Sequence, residues 1–172
     1  MTLQISLWMF LAACFVASYT DVRWRRVPNA LSYGCMAVII ALSAPHGFIP
    51  FLSAIGSAII VLFAGSFVFG LGWLGGGDIK LLAAGAAAIG FPSFLVVLLY
   101  IAAVGGIIGA VYALREHRLR TIVTNIALSA VAGTTVAPAA ASRRVPYALA
   151  ICAGACFYAA SESFAPWLRF VH

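Results

Sequence analysis

The stretch FLSAIGSAIIVLFAGSFVFGLGWLGGGDIK, residues 51–80, is a long apolar run that ends at three glycines, an aspartate and a lysine. The run from 51 to 73 is long enough to cross a membrane, because a spanning helix needs about 20 mostly apolar residues. A transmembrane barrel strand would instead alternate polar and apolar residues over about ten positions. The stretch therefore predicts a transmembrane helix followed by a polar break at the membrane edge.

The remainder of the 172-residue chain shares this apolar character. Charged residues make up only 8% of it, whereas a soluble domain carries about a quarter. We predict further spans at 3–19, 30–44, 79–90, 93–114 and 145–164. No basic segment precedes the first of them, so we interpret it as a retained span and not as a signal peptide. The sequence predicts an all-α fold, a polytopic transmembrane helical bundle of about six spans in a single integral-membrane domain over residues 1–172.

The basic residues predict how the bundle is oriented. Short cytoplasmic loops are enriched in Lys and Arg, and the connection 21–29 carries three arginines. The connection 45–50 carries neither, so we place it outside. Because successive spans cross the membrane in opposite directions, residues 74–80 are predicted at the cytoplasmic face and both termini outside. Asp21 and Asp78 consequently share one face of the membrane.

Residues 121–144 are compatible with two topologies. Their apolar part, 126–141, is short and contains Pro138. If the segment lies along the interface, Arg143 and Arg144 stay cytoplasmic, whereas a crossing would place both outside, against the charge rule. We predict a cytoplasmic or interfacial segment.

The net charge of +6 indicates contact with anionic membrane lipid, because the basic residues lie mostly in short connections. No basic and aromatic face typical of nucleic-acid binding is visible, and we expect no nucleic-acid partner. Cysteines inside apolar segments favour packing over metal binding, and this applies to Cys14, Cys35, Cys152 and Cys156. We therefore expect neither a metal ion nor a cofactor.

Two of the four acidic residues draw attention, because an ionisable group beside apolar segments is costly. Asp21 follows the first predicted span, where it has a structural alternative as the partner of Arg23 or Arg25. Asp78 follows three glycines and has a structural alternative as the N-cap of the fourth helix. Consecutive glycines beside a span nevertheless favour a backbone that something approaches closely or that adopts positive φ.

Together the two aspartates have a specific chemical meaning. Two carboxylates within hydrogen-bonding reach cannot both ionise easily, so they tend to share a proton. The ionised member can remove a proton from water that attacks a peptide carbonyl, and the protonated member can stabilise the oxyanion. Such a pair needs no metal and no covalent nucleophile.

Four stretches carry a resemblance to a known family. An aspartate precedes a basic segment and Pro-Asn in Asp21-Val-Arg-Trp-Arg-Arg-Val-Pro28-Asn29, and Gly75-Gly-Gly-Asp-Ile-Lys80 fits a Gly-x-Gly-Asp motif with a following lysine. The other two are Phe69-Gly-Leu-Gly-Trp-Leu74 and Val145-Pro-Tyr-Ala-Leu-Ala-Ile151. In these stretches the chain resembles the type IV prepilin peptidases, in particular the short form that processes pilins of the tight-adherence (Flp) system.

The resemblance implies a role for each residue of the site. Asp21 and Asp78 would be the catalytic aspartates, and Gly75 and Gly77 would shape the backbone beside the scissile peptide. Lys80 would either orient Asp78 or the substrate, or act as an anchor at the membrane edge.

The resemblance also implies the substrate and the location. The partner would be a Flp-type prepilin whose short cytoplasmic leader is cut after a glycine, with pseudopilins as further substrates. Arginines do not suit a basic leader, so we expect Arg23 to contact acidic positions that flank the cut. The enzyme would lie in the bacterial inner membrane, with its active site at the cytoplasmic face.

Longer relatives carry a cytoplasmic insertion with paired Cys-x-x-Cys motifs and also methylate the new N-terminus of the pilin. This chain has neither the insertion nor those cysteines, so we expect peptidase activity without methyltransferase activity. Two alternatives stay open from the sequence. One is a non-enzymatic transporter or pilus-assembly subunit that binds ions through the aspartates, and the other is a presenilin-like intramembrane peptidase.

Overall fold

The computed structural model describes residues 2–24, 26–70, 74–115 and 147–164, and every α-helix or turn of helix reported below lies within these ranges. The α-helices there are α1 (Thr2–Trp24), α2 (Asn29–Ser43), α3 (Phe48–Gly70), α4 (Gly76–Ile89), α5 (Ser93–Arg115) and α6 (Tyr147–Phe164). A short 3-10 helix, Ala44–His46, follows α2. The predicted all-α fold is confirmed, whereas the prediction for 121–144 concerns residues outside the described ranges.

Helix α4 lies at the centre of the bundle. It contacts each of the other five helices, and every residue from 81 to 89 is buried. Alanine dominates this run, which combines high helix propensity with a small volume that lets the neighbouring helices approach. The helix ends at Gly90, whose φ of +81° glycine adopts without strain.

Helix α6 runs antiparallel to α5 and beside α1. Gly154 of α6 lies against Ile101 of α5, and Tyr147 at the start of α6 lies against Gly105 further along α5. The absence of a side chain at Gly154 allows the two helices to approach closely, because a Cβ there would lie 2.6 Å from a side-chain carbon of Ile101. The start of α6 is thereby brought to the end of the bundle where α1 ends.

Three of the described helices are long and apolar enough to cross a membrane, namely Gln4–Trp24, Phe48–Gly70 and Ser93–Val111. Tyr147–Ser161 is a shorter apolar helix. Helix α3 exposes large apolar side chains, among them Phe63 and Phe67 at 83% and 73% exposure, and a soluble protein rarely exposes such a face. Helices α2 and α4 have only 15 and 14 residues, which is shorter than the roughly 20 residues that a membrane span needs.

Both aspartates lie inside helices, so their predicted positions in the connections were wrong by a few residues. Helix α1 continues to Trp24 and contains Asp21 in its last turn, because no helix-breaking residue precedes Pro28. Helix α4 begins at Gly76 and contains Asp78 in its first turn, where the helix dipole favours an acidic residue.

Candidate active site

The end of α1 and the starts of α4 and α6 meet at one end of the bundle, and Asp21 and Asp78 lie at this junction. Both side chains are partly buried. They are near enough for the negative charge of Asp21 to raise the pKa of Asp78. The fold therefore brings together the two aspartates that the sequence singled out.

Asp21 is bound by the start of α6. The backbone N–H of Ala148 donates a hydrogen bond to Asp21 Oδ2 at 3.3 Å, and the Ser18 hydroxyl donates to the carbonyl oxygen of Ala148 at 2.9 Å. The first backbone N–H groups of a helix have no acceptor within the helix and carry partial positive charge. This contact therefore gives the Asp21 carboxylate a fixed backbone donor at the start of α6.

The ion-pair alternative for Asp21 has no support among the described residues. Arg23 is exposed, and the hydrogen bond found for Asp21 there is the one from Ala148. Arg25, the other predicted partner, lies outside the described residues. Arg23 thus lies beside the aspartate with its charge facing outward.

Asp78 is desolvated at the start of α4. Burial raises the pKa of Asp78 to about 6, the charge of Asp21 adds to this shift, and a hydrogen bond from the Gly75 backbone N–H opposes it. Asp78 lies outside the three candidate spans. Its Oδ1 atom is buried and has no hydrogen-bond partner among the described residues. An acceptor in that state favours protonation of the carboxyl or a donor from a bound molecule.

The alternative prediction that Asp78 is the N-cap residue of α4 is wrong. The N-cap of α4 is Gly75, and Asp78 is the third residue of the helix. The Asp78 carboxylate accepts a hydrogen bond from the Gly75 N–H, as the third residue does in a capping box. Capping and catalysis therefore do not compete, because this contact occupies one side of the carboxyl and leaves Oδ1 without a partner among the described residues.

The glycines before Asp78 allow close approach and do not adopt positive φ. A Cβ at Gly75 would lie 2.9 Å from Asp78 Oδ2, and a Cβ at Gly77 would lie 3.0 Å from Val27 Cβ. Gly75 has an ordinary φ of −76°. Of the two explanations left open by the sequence, close approach is the one found.

Lys80 joins α4 to α2. Its Nζ donates a hydrogen bond to Asn29 Oδ1 at 2.9 Å and lies 4.6 Å from the centre of the Tyr33 ring. Two motifs noted separately in the sequence, Pro-Asn and Gly-Asp-Ile-Lys, are thus in contact. The sequence did not predict the contact between Lys80 and Asn29 or the hydrogen bond from Ala148 to Asp21. The Pro-Asn motif did, however, single out Asn29.

Other reactive side chains in the part of the chain that the structure describes lie away from this site. His46 lies beyond the far end of the 15-residue helix α2, about 22 Å from its start. Cys14, Cys35 and Cys152 are buried in the bundle. Among the described residues, no three His, Cys, Asp or Glu side chains are grouped as metal ligands.

An apolar helical bundle with two interacting carboxylates at helix ends is the architecture of a membrane aspartic peptidase. The chain matches the type IV leader peptidase family over residues 8–114, a range that contains both aspartates, and it belongs to that family. It is accordingly a prepilin leader peptidase, an aspartic endopeptidase of a family of inner-membrane proteins. The resemblance stated from the motifs is confirmed at the level of the family, and ion transport is thereby disfavoured. Comparisons with curated proteins and with solved structures found no match.

Proposed function

We propose that this peptidase is a short form of the tight-adherence type, which removes the leader of Flp-type prepilins with Asp21 and Asp78 as its catalytic pair. The observation that carries the proposal is the unequal pair itself. Asp21 accepts a backbone N–H at a helix start, whereas Asp78 has a raised pKa and an unpaired oxygen. One carboxylate is suited to accept a proton and the other to hold one.

The two environments suggest how the pair divides the reaction. Asp21 takes a proton from water, whose oxygen attacks the carbonyl carbon of the scissile peptide, while protonated Asp78 donates to the carbonyl oxygen. In the collapse of the tetrahedral intermediate, the C–N bond breaks, the proton on Asp21 passes to the leaving nitrogen, and the proton on the former carbonyl oxygen returns to Asp78 as the C=O bond re-forms. The products are the leader with a new carboxylate and the pilin with a new amine.

Gly75 and Gly77 serve this chemistry by leaving room beside the pair for an extended substrate backbone. Substituents at either position would enter space next to Asp78 or Val27. Lys80 supports the site by fixing α4 against α2 through Asn29. This positioning role is favoured over a purely lipid-facing anchor, because its amine is directed to a partner on another helix.

The site faces the cytoplasm in this proposal. The arginines that follow Asp21 favour the cytoplasmic side of a short loop, and six spans then leave both termini outside, with 121–144 cytoplasmic or interfacial. The short helices α2 and α4 cross in the six-span arrangement only if the bilayer is locally thinner. The pair would then meet a leader that projects into the cytoplasm.

The substrate is a prepilin whose hydrophobic helix lies in the membrane and whose leader ends in glycine at the cut. Pseudopilins with the same arrangement are further substrates. Exposed Arg23 and Arg26 contact acidic positions that flank the cut, since both carry their charge outward beside Asp21. Charge reversal at Arg23 should slow cleavage of a substrate with acidic flanks, and unchanged cleavage would contradict that contact.

The enzyme is a peptidase alone. The longer relatives, which also methylate the pilin, carry a cytoplasmic insertion with paired Cys-x-x-Cys motifs. This chain lacks that insertion. The mature pilin it releases is therefore expected to carry an unmethylated N-terminal amine. Mass spectrometry of the product checks this, and a methylated product made by the purified enzyme with a methyl donor would contradict it.

Co-expression with a Flp-type prepilin tests the catalytic pair. Asp21→Asn and Asp78→Asn should each leave the precursor uncut, a loss of more than about 1000-fold, because either substitution removes a proton-transfer group. Glu116→Gln, which removes a different acidic residue, is the control and should process normally. Full processing by either aspartate variant, at matched protein levels, would rule out the pair.

A further inference from the structure

The first turn of α6 is fixed against the active site at one residue. Ala148 has its N–H bonded to Asp21 and its carbonyl oxygen bonded to Ser18. Both partners lie on the last two turns of α1, so translation or rotation of α6 would break both hydrogen bonds. This arrangement fixes the position of the residue that precedes Ala148, which is Tyr147.

Tyr147 packs against α5 and lies within electrostatic range of Asp78. Its phenol interacts electrostatically with Asp78, and its ring lies against Gly105 of α5, where a Cβ would be 3.6 Å from the ring and 3.7 Å from the hydroxyl oxygen. A residue larger than glycine would meet the ring at that point. The side chain is partly buried, and its position is therefore defined by packing.

The Tyr147 hydroxyl makes no hydrogen bond to any of the other described residues. A tyrosine combines an apolar ring with a hydroxyl that can donate to a polar group. Other polar groups near the pair are engaged, since the Ala148 N–H binds Asp21 and the Lys80 amine binds Asn29. A phenol held near Asp78, with no partner for its donor among the described residues, is suited to a bound substrate.

Hydrolysis of a peptide needs such a donor. Negative charge develops on the carbonyl oxygen as water attacks, and fixed donors directed at that oxygen lower the barrier. Asp78 supplies one donor only while it is protonated. A second donor with a fixed position would keep the oxyanion stabilised when that proton moves.

We propose that Tyr147 is a further catalytic residue, whose hydroxyl donates a hydrogen bond to the carbonyl oxygen of the scissile peptide beside Asp78. Tyr147 lies outside the range 8–114 that matches the family, so the family match does not assign it. This role rests on the proposed Asp21 and Asp78 pair. It makes the start of α6 a part of the active site as well as a packing element.

The test is cleavage of a synthetic Flp-type prepilin by purified full-length variants in lipid. Tyr147→Phe keeps the ring and removes the donor, so kcat should fall about 100-fold while KM changes less than about threefold. The melting temperature should stay at the wild-type value, because the packing against Gly105 is retained. Tyr100→Phe removes the hydroxyl of a partly buried tyrosine on α5, a different helix, and should have wild-type kcat.

The outcomes separate this role from its alternatives. Wild-type kcat in Tyr147→Phe, or a loss that appears only in KM or only with a lower melting temperature, would overturn the proposal. Tyr147→Leu should lose both kcat and melting temperature, which distinguishes ring packing from donation. If the catalytic pair itself were wrong, Asp21→Asn and Asp78→Asn would cleave the same substrate, whereas failure of the tyrosine role alone would leave both aspartate variants inactive.

Discussion

The two aspartates lie at one junction but in different surroundings. Asp21 is near the end of a long helix and accepts a hydrogen bond from the first turn of α6. Asp78 is in the first turn of the buried helix α4, with one oxygen against Gly75 and the other without a hydrogen-bond partner among the described residues. The same side chain thus meets a backbone donor in one region and desolvating surroundings in the other.

This difference explains how two chemically identical carboxyl groups can acquire different functions. Helix termini supply the asymmetry, because the start of α6 offers a donor to Asp21 while the apolar centre of the bundle removes water from Asp78. No additional charged residue is needed. Substitutions that alter one region and not the other should therefore change the reaction in distinguishable ways.

The largest effect beyond loss of the aspartates is expected at Gly75. In Gly75→Ala, a methyl group would lie 2.9 Å from Asp78 Oδ2 and displace the carboxyl group. The flexible side chain can move at small cost in folding, but its alignment with the substrate is lost. We expect cleavage to fall about 100-fold, with little change in melting temperature.

The neighbouring glycines provide matched controls for that substitution. Gly76→Ala adds the same methyl group at an ordinary 3.6 Å from Phe69 and should retain near-wild-type cleavage. Gly77→Ala places it 3.2 Å from the backbone oxygen of Val27, so the melting temperature should fall. Equal cleavage by Gly75→Ala and Gly76→Ala would show that the space beside Asp78 does not matter.

An intermediate effect is expected from pH. Burial and the charge of Asp21 raise the pKa of Asp78 to about 6, so the protonated form needed as the acid is present below that pH and lost above it. The value of kcat/KM should fall about tenfold per pH unit above about pH 6, because it reports groups of the free enzyme. Initial rates at low substrate concentration check this, and a rate that is constant from pH 6 to pH 8 would contradict it.

The smallest effect concerns the contact that holds α4 against α2. Lys80→Met and Asn29→Ala each remove the same hydrogen bond, which is exposed to solvent. We expect each to slow cleavage about threefold and the double variant to be no slower, a coupling of about 0.5–1 kcal/mol. Tyr33→Phe keeps the ring over which Lys80 lies and is the control. Additive losses would show that Lys80 and Asn29 act separately.

The sequence predicted the pairing of Asp21 and Asp78 because apolar segment lengths and arginine positions determine which connections share a face. It did not predict that both lie within helices, because glycines and arginines near a span end do not by themselves terminate a helix. Contacts between distant segments were also missed. The hydrogen bond from Ala148 to Asp21 depends on how α6 is placed along α1, and that placement follows from helix packing, as at Gly154 against Ile101, and not from local pattern.

The most direct test of the division between the two aspartates is an infrared titration of the carboxyl C=O stretch in the purified enzyme. An ordinary carboxyl group titrates near pH 4, so a band with a midpoint near pH 6 reports a raised pKa. That band should be present in the wild type, absent in Asp78→Asn, and present with a lower midpoint in Asp21→Asn, where the neighbouring charge is removed. A band that is lost in Asp21→Asn and kept in Asp78→Asn would contradict the assignment of the proton to Asp78.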